Sequence, residues 1–383
     1  MSDTTSSRDL VVHVFGRTDV GRTRDHNEDA FVVVDLTTMN ATLQPEVREH
    51  RPGERGSLFM VADGMGGAAA GEVASEMATA VVLDELDARW RRSETTDADT
   101  FAAALRKAVE EANTRIHRYA VEHPENRGMG TTTTLAGLIG DTLYLCQVGD
   151  SRGYLVRGGI ATQITKDQSL VQRLIEAGEL TAEEAEVSER RNIILQALGP
   201  EAVVKVDVTT QAVRRSDTLI LCSDGLSGQM RNEDIARVVT EQAPDLVGTC
   251  KALIDLANEN GGPDNITVVA ARFEGSALRE PADGDFVGHL PYVSPAEQRP
   301  TMPLNAETVE QSMAAADALE RSLRTTEEAA TVEAAAVPAV ASPATLPVRF
   351  ADRRLSVAQL RVIFGSLTVA VAAWLAWVYL LRR

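Results

Sequence analysis

Three of the most apolar strand-like runs in this chain end on an aspartate, and this recurrence constrains the fold more than any other feature. LFMVADGMGG (58–67) runs from apolar residues straight into Asp63, LILCSDGLSG (219–228) into Asp224, and LYLCQVGDSR (143–152) into Asp150. Two further acidic corners precede strands: Asp264 in GGPDNITVVA, and Glu28 with Asp29 in RDHNEDAFVVV. In an antiparallel sheet the end of one strand and the start of its neighbour share a rim, so such corners can gather on one edge. A lone Asp-Gly is equally a hairpin turn. On the residues alone, five separate turns and one metal site both stand as readings. Clustered carboxylates stay ionised together only if a cation joins them. An all-oxygen set, with no Cys or His, selects Mg²⁺ or Mn²⁺ over zinc. The glycine after Asp63 would let a backbone carbonyl approach such an ion.

The runs between these corners set the fold class. Strand patterns cover 10–18, 30–36, 57–63, 131–139, 142–150, 152–158, 203–210, 217–224 and 265–273. Several follow one another with short links, which calls for antiparallel sheets. Helical patterns lie between blocks of strands; in one of them Phe101, Leu105, Ala108, Ala112, Ile116 and Tyr119 recur at three and four. Helices between strand blocks depart from the βαβα beat of a doubly wound fold. The expectation is an α+β, four-layer α-β-β-α sandwich with two antiparallel sheets flanked by helices, over residues 9–274, after a disordered N-terminus at 1–8.

Composition limits what such a domain can bind. A net charge of −18 argues against nucleic acid, which needs a basic footprint. Cys146, Cys222 and Cys250 are far apart, so neither a zinc ribbon nor a disulfide framework is expected. The N-terminus has no apolar stretch after a basic start, so no signal peptide is expected and the folded part is expected in the cytoplasm. From 275 to 350 the chain turns rich in Ala, Glu, Thr and Pro and reads as a disordered tether. Residues 362–381 then carry no charge, and twenty residues span about 30 Å as a helix. Trp374, Trp377 and Tyr379 sit toward the end of this run, and arginines flank it. A single-pass C-terminal membrane anchor is expected, with the domain inside the cell.

Six motifs in order, RTRDHNEDA, FMVADGMGG, GMGTTTT, VGDSRGYLV, LCSDGLSG and GGPDNITVV, resemble those of the metal-dependent serine/threonine protein phosphatases of type 2C. The resemblance covers about residues 9–274 and implies a pair of antiparallel sheets flanked by helices. It also implies that Asp63 bridges two metal ions with the Gly64 carbonyl on one, and that Asp224 and Asp264 hold the other. Glu28 and Asp29 would bind directly or through water. Asp150 with Asp224 matches a third, weaker position of bacterial-type members. Arg24 falls where the family binds phosphate, which suits a guanidinium. The implied activity is hydrolysis of phosphoserine and phosphothreonine by a metal-activated water. The implied partners are phosphorylated proteins, a serine/threonine kinase among them. Met65 stands where many animal members have a histidine that acts on the leaving group, so that role has no assigned residue here. His26 reads as a solvated loop residue. Residues 166–198 look like the family's flap. GMGTTTTL reads as a core strand rather than a phosphate cradle, and the 37–56 link, with Arg48, Arg51 and Arg55, as a surface loop. Two rival readings use the same carboxylates: a two-metal phosphodiesterase or nuclease, and a phosphoprotein-binding module without turnover.

Overall fold

The computed structural model describes residues 10–41, 48–66 and 70–294. The N-terminal residues, most of the expected tether and the expected membrane span lie outside the described residues. Among the described residues no helix is long and apolar enough to cross a membrane.

The strands are β1 (Val11–Asp19), β2 (Asp29–Asp35), β3 (Arg48–His50), β4 (Ser57–Met65), β5 (Gly130–Thr131), β6 (Thr133–Ile139), β7 (Thr142–Val148), β8 (Arg152–Arg157), β9 (Ile160–Gln163), β10 (Asp207–Ala212), β11 (Thr218–Cys222) and β12 (Ile266–Glu274). One sheet runs β3-β1-β12-β11-β8-β9 and the other β10-β7-β6-β4-β2, with β5 beside β4. Every strand pair is antiparallel, as the short links require. Helices α1 (Ala70–Leu86) and α2 (Ala98–Glu122) cover the second sheet. Beyond α3 (Leu170–Glu176), α4 (Ala182–Glu186) and α5 (Asp224–Ser227), helices α6 (Asn232–Gln242) and α7 (Leu246–Glu259) cover the first.

The side-chain period of two explains why the strands read as continuous apolar runs. Phe59, Val61, Leu219, Leu221 and Phe273 fill the space between the sheets. Their neighbours Leu58, Met60 and Ala62 face α1 and α2. Both faces are buried, so both parities are apolar, and each fully buried large side chain contributes about 1.5–3 kcal/mol. The result is the expected α-β-β-α sandwich.

Three local expectations change. β3 pairs with β1 inside the supposed surface loop, and Arg55 is tied into the structure, its guanidinium on the Ser93 and Thr95 carbonyls and 5.2 Å from the Trp90 ring centroid. Helix α6 had no counterpart in the sequence reading, although Ile235, Ala236, Val238 and Val239 mark its buried face. The expected tether does not begin at 275. Residues 276–294 pack on the domain: Thr210 donates to the Leu290 carbonyl at 2.9 Å, Tyr292 to the Val208 carbonyl at 2.9 Å, and Arg214 grips both Asp285 oxygens. This strap covers the free edge of β10. A small-residue composition concealed it because backbone bonds and two ion pairs, Arg214–Asp285 and Arg215–Glu280, hold most of it, with Leu278 and Tyr292 as its large apolar contacts.

Candidate metal centre

The parity of β2 and β4 decides where the acids point. Asp29 is the register partner of Asp63, and both share the parity of Phe31, Val33, Phe59 and Val61, which face the space between the sheets. Asp224 opens α5 just after β11, Asp264 precedes β12, and Asp150 lies in the turn from β7 to β8. Asp63 is within electrostatic reach of Asp29, Asp224, Asp150 and Asp264. The five aspartates thus meet at one end of the cleft between the sheets. Glu28 does not join them on the same face. Its parity is the opposite one, and its carboxyl lies under the start of α1, where a Cβ on Gly71 would come within 2.8 Å of Glu28 Cδ.

Neither Asp-Gly pair makes a hairpin. Gly64 lies within β4, and a Cβ there would meet the Gly71 and Glu28 carbonyl oxygens at 2.3 and 2.5 Å. Gly225 lies in α5, where a Cβ would meet the Asn265 carbonyl at 2.0 Å. Both glycines permit backbone approach around the carboxylates, which is a packing reason the sequence reading did not include.

Supporting residues surround the cluster. Ser223 Oγ donates to Asp29 Oδ2 at 2.8 Å. Thr131 Oγ1 and the Thr132 amide donate to the Asp63 carbonyl at 2.9 and 2.8 Å, and the Asp63 amide donates to Thr132 Oγ1 at 3.1 Å. The threonine run is therefore a core strand whose first residues also clamp the Asp63 backbone. Asn265 is buried; it accepts from the Glu28 amide at 2.8 Å and donates to the Val20 and His26 carbonyls at 2.9 and 3.0 Å. None of these supports was singled out in sequence, since Ser, Thr and Asn at strand ends are common. Arg24 donates to Asp264 Oδ2 at 2.7 Å from a half-exposed position. His26 is exposed, 3.5 Å from Glu28 Oε1.

Burial and like charge act together on the cluster. Burial first, then the neighbouring carboxylates, push Asp63 well above the usual carboxylate range. Asp29 is raised to about 7 by burial, against hydrogen bonds from Thr267 and Ser223 that lower it. Asp150 is raised to about 7 by burial and by Asp224. Asp224 is also raised, by burial and by the neighbouring Asp264. Glu28 Oε1, Asp29 Oδ1 and Asp150 Oδ1 are buried acceptors without a donor. Acceptors of this kind, in an all-oxygen set, are what a hard divalent cation satisfies. Among the described residues no three His, Cys, Asp or Glu side chains converge closely enough to hold a metal ion as they stand. Asp264 is turned away from the cluster toward the Arg24 guanidinium, as an acid among like charges would be. The residues present fit divalent cations.

A pH dependence follows. A raised folded-state pKa gives stability that is complete below the unfolded value near 4 and lost as pH rises through about 7. The chelated protein is therefore expected to melt lower at about pH 8 than at about pH 5, and saturating Mn²⁺ to reverse that order. Thermal unfolding in chelator and in Mn²⁺ tests this; a chelated midpoint that rises with pH would contradict it.

A protein phosphatase 2C family model matches residues 47–258. This chain belongs to the protein phosphatase 2C family. The phosphatase is 39% identical over 261 residues to the serine/threonine phosphatase stp of Listeria monocytogenes, covering 67% of this chain and 94% of that protein. It is 39% identical over 263 residues to the serine/threonine protein phosphatase PstP of Mycobacterium tuberculosis, covering 68% of this chain and 45% of that longer one. The PstP crystal structure from M. tuberculosis superposes with a TM-score of 0.57 at 38% identity over 69% of this chain and 99% of that one. The PstP catalytic domain in complex with two manganese ions gives a TM-score of 0.56 at 37% identity over 69% of this chain and 99% of that one.

Proposed function

We propose that the phosphatase hydrolyses phosphoserine and phosphothreonine in proteins with Mn²⁺ or Mg²⁺. The observation that carries this is the meeting of five aspartates at one end of the cleft, with unpaired buried acceptors among them, in a chain of this family. In this reading Asp29, Asp63, Asp224 and Asp264, with Glu28 and the Gly64 carbonyl, would hold two ions, and Asp150 with Asp224 a third. When bound, such ions supply an activated water and offset phosphate charge. Arg24, at the exposed edge of the cluster, turns from Asp264 to grip two phosphate oxygens, and it stabilises charge that develops in the transition state. Ser223 and the Thr131–Thr132 pair hold Asp29 and Asp63 in place during this exchange. Met65, exposed at the end of β4, has no proton to give a leaving seryl or threonyl oxygen.

The test is phosphate release from a phosphothreonine peptide by the full chain, in Mn²⁺ and in chelator. Manganese-dependent turnover is the expected result. Binding of the phosphopeptide without turnover would overturn the reading in favour of a binding module. Within the same reading, the substrates include an opposing serine/threonine kinase, and residues 362–381 anchor the domain at the cytoplasmic face of the membrane. What supports the anchor is the uncharged twenty-residue run with its terminal aromatics and flanking arginines. Membrane fractionation before and after its deletion tests it.

A further inference from the structure

We propose that the β10 edge is a strand-docking site: residues 285–293 fill it in the closed chain, and when they are released it takes β10 of a second copy. The Arg214–Asp285 ion pair and the Asp99–Tyr292 hydrogen bond are the latches that keep it closed. The inference stands apart from the metal-centre reading, and the strap lies beyond the motifs that carry the family resemblance.

The strap binds as a strand-adding peptide does, by main-chain bonds along an edge and side-chain contacts at its ends. At its start Asp285 receives Nε and Nη2 of the buried Arg214 at 2.8 and 2.7 Å. Gln211 of β10 then grips the strap backbone: its Nε2 donates to the Phe286 carbonyl at 3.0 Å, and its Oε1 accepts from the Gly288 amide at 3.2 Å. Two ladder bonds flank the Thr209–Pro291 pair, from the Thr210 amide to the Leu290 carbonyl and from the Tyr292 amide to the Val208 carbonyl, each 2.9 Å. At the strap's end the Tyr292 hydroxyl donates to Asp99, and its ring lies 5.4 Å from that of Tyr144 between centroids. Phe286, Leu290 and Val293 stay exposed, so the latches carry much of the hold on this part of the strap.

The covered edge itself points to the second occupant. β10 reads DVTTQA, β-branched at its centre, with no proline or lysine inside it to blunt an open edge. The strap offers a carbonyl at 290 and an amide at 292, on either side of Pro291. A second β10 laid antiparallel offers the same pair, the Val208 carbonyl and the Thr210 amide, on either side of Thr209. Both ladder bonds are reproduced about a two-fold axis through the Thr209 pair, and the contact is self-complementary, as a two-fold dimer requires. Two copies can do for each other what the strap does for one.

The test is a cross-link in the full chain, kept in detergent. Facing residues in such a pair have Cα atoms about 4.5 Å apart, within disulfide reach. Thr209→Cys is compared with the strap intact and with Asp285→Lys and Tyr292→Ala added; the native Cys146, Cys222 and Cys250 are buried. Under mild oxidation the released chain should form at least about tenfold more dimer joined at position 209, identified by mass. Tryptic cleavage after the exposed Arg279 should rise with it. A synthetic peptide of residues 280–294 should suppress the dimer, and the same peptide with both strap changes should not. A strap freed, as read by cleavage, without a link at position 209 would overturn the proposal, and so would a dimer joined elsewhere or one that the peptide leaves intact. Cleavage and cross-linking that both stay unchanged would show that the latches do not hold the strap, and overturn it equally. If the triple variant does not fold, Tyr292→Phe with Thr209→Cys decides: a rise of about threefold in the dimer supports the proposal, and no rise overturns it.

Discussion

Asp63→Asn is expected to lower kcat at least about 10³-fold and, in chelator, to raise the thermal midpoint of the same protein. The two effects have one cause. Asp63 lies within electrostatic reach of Asp29, Asp224, Asp150 and Asp264, and burial adds to the cost of its charge. Asparagine has nearly the same shape and keeps a carbonyl oxygen, but it carries no charge. The repulsion is relieved, and with it the capacity to hold cations beside Asp29 is lost. For a domain of this size each kcal/mol relieved appears as about 2–4 °C. The gain should be larger at about pH 8 than at about pH 5, because the native carboxyl is increasingly forced to ionise as pH rises. Calorimetry of both proteins in chelator, beside turnover in Mn²⁺, reads both effects. A variant that turns over normally would remove Asp63 from the site. A chelated variant that melts below wild type would show that the cluster is not charge-frustrated.

Asn265→Ala should damage the site from outside it. The amide holds the Arg24–Glu28 loop to the start of β12 through the Glu28 amide and the Val20 and His26 carbonyls. Alanine leaves three backbone groups without partners at a residue only 4% exposed. Each such bond is worth about 1 kcal/mol net, and orphaned buried groups cost more. A loss of about 2–4 kcal/mol is expected, or roughly 5–15 °C. The freed loop carries Arg24, Glu28 and Asp29, so the Mn²⁺ concentration for half-activity and the KM for phosphopeptide should each rise about tenfold, with a smaller change in kcat. Unchanged melting and an unchanged Mn²⁺ requirement would show that the loop is held by something else.

Several elements were legible because their pattern is local. The strand at 57–63 announces itself by an unbroken apolar run and the helix at 99–120 by its recurrence at three and four, and both end within two residues of the observed elements. The acidic corners were visible because an acid at the end of an apolar run is unusual. The edge strands β3 and β9 were not visible, since three or four residues carry no period. The strap at 276–294 was read as tether because backbone bonds to β10 leave no trace in composition.

What the sequence determined by itself was the class of fold, the family, and the identity of the acids at the strand ends. Each depends on residue type at a position, which the chain carries whether folded or not. Tertiary structure alone decided which acids share a face. Glu28 and Asp29 are neighbours in sequence, yet the pleat sends Asp29 into the cleft with Asp63 and sends Glu28 under α1. Tertiary structure alone also recruited Ser223 and Asn265, residues separated from their partners along the chain. A hydrogen bond between distant segments is written in the register of strands and the path of loops, and neither is a property of any one residue.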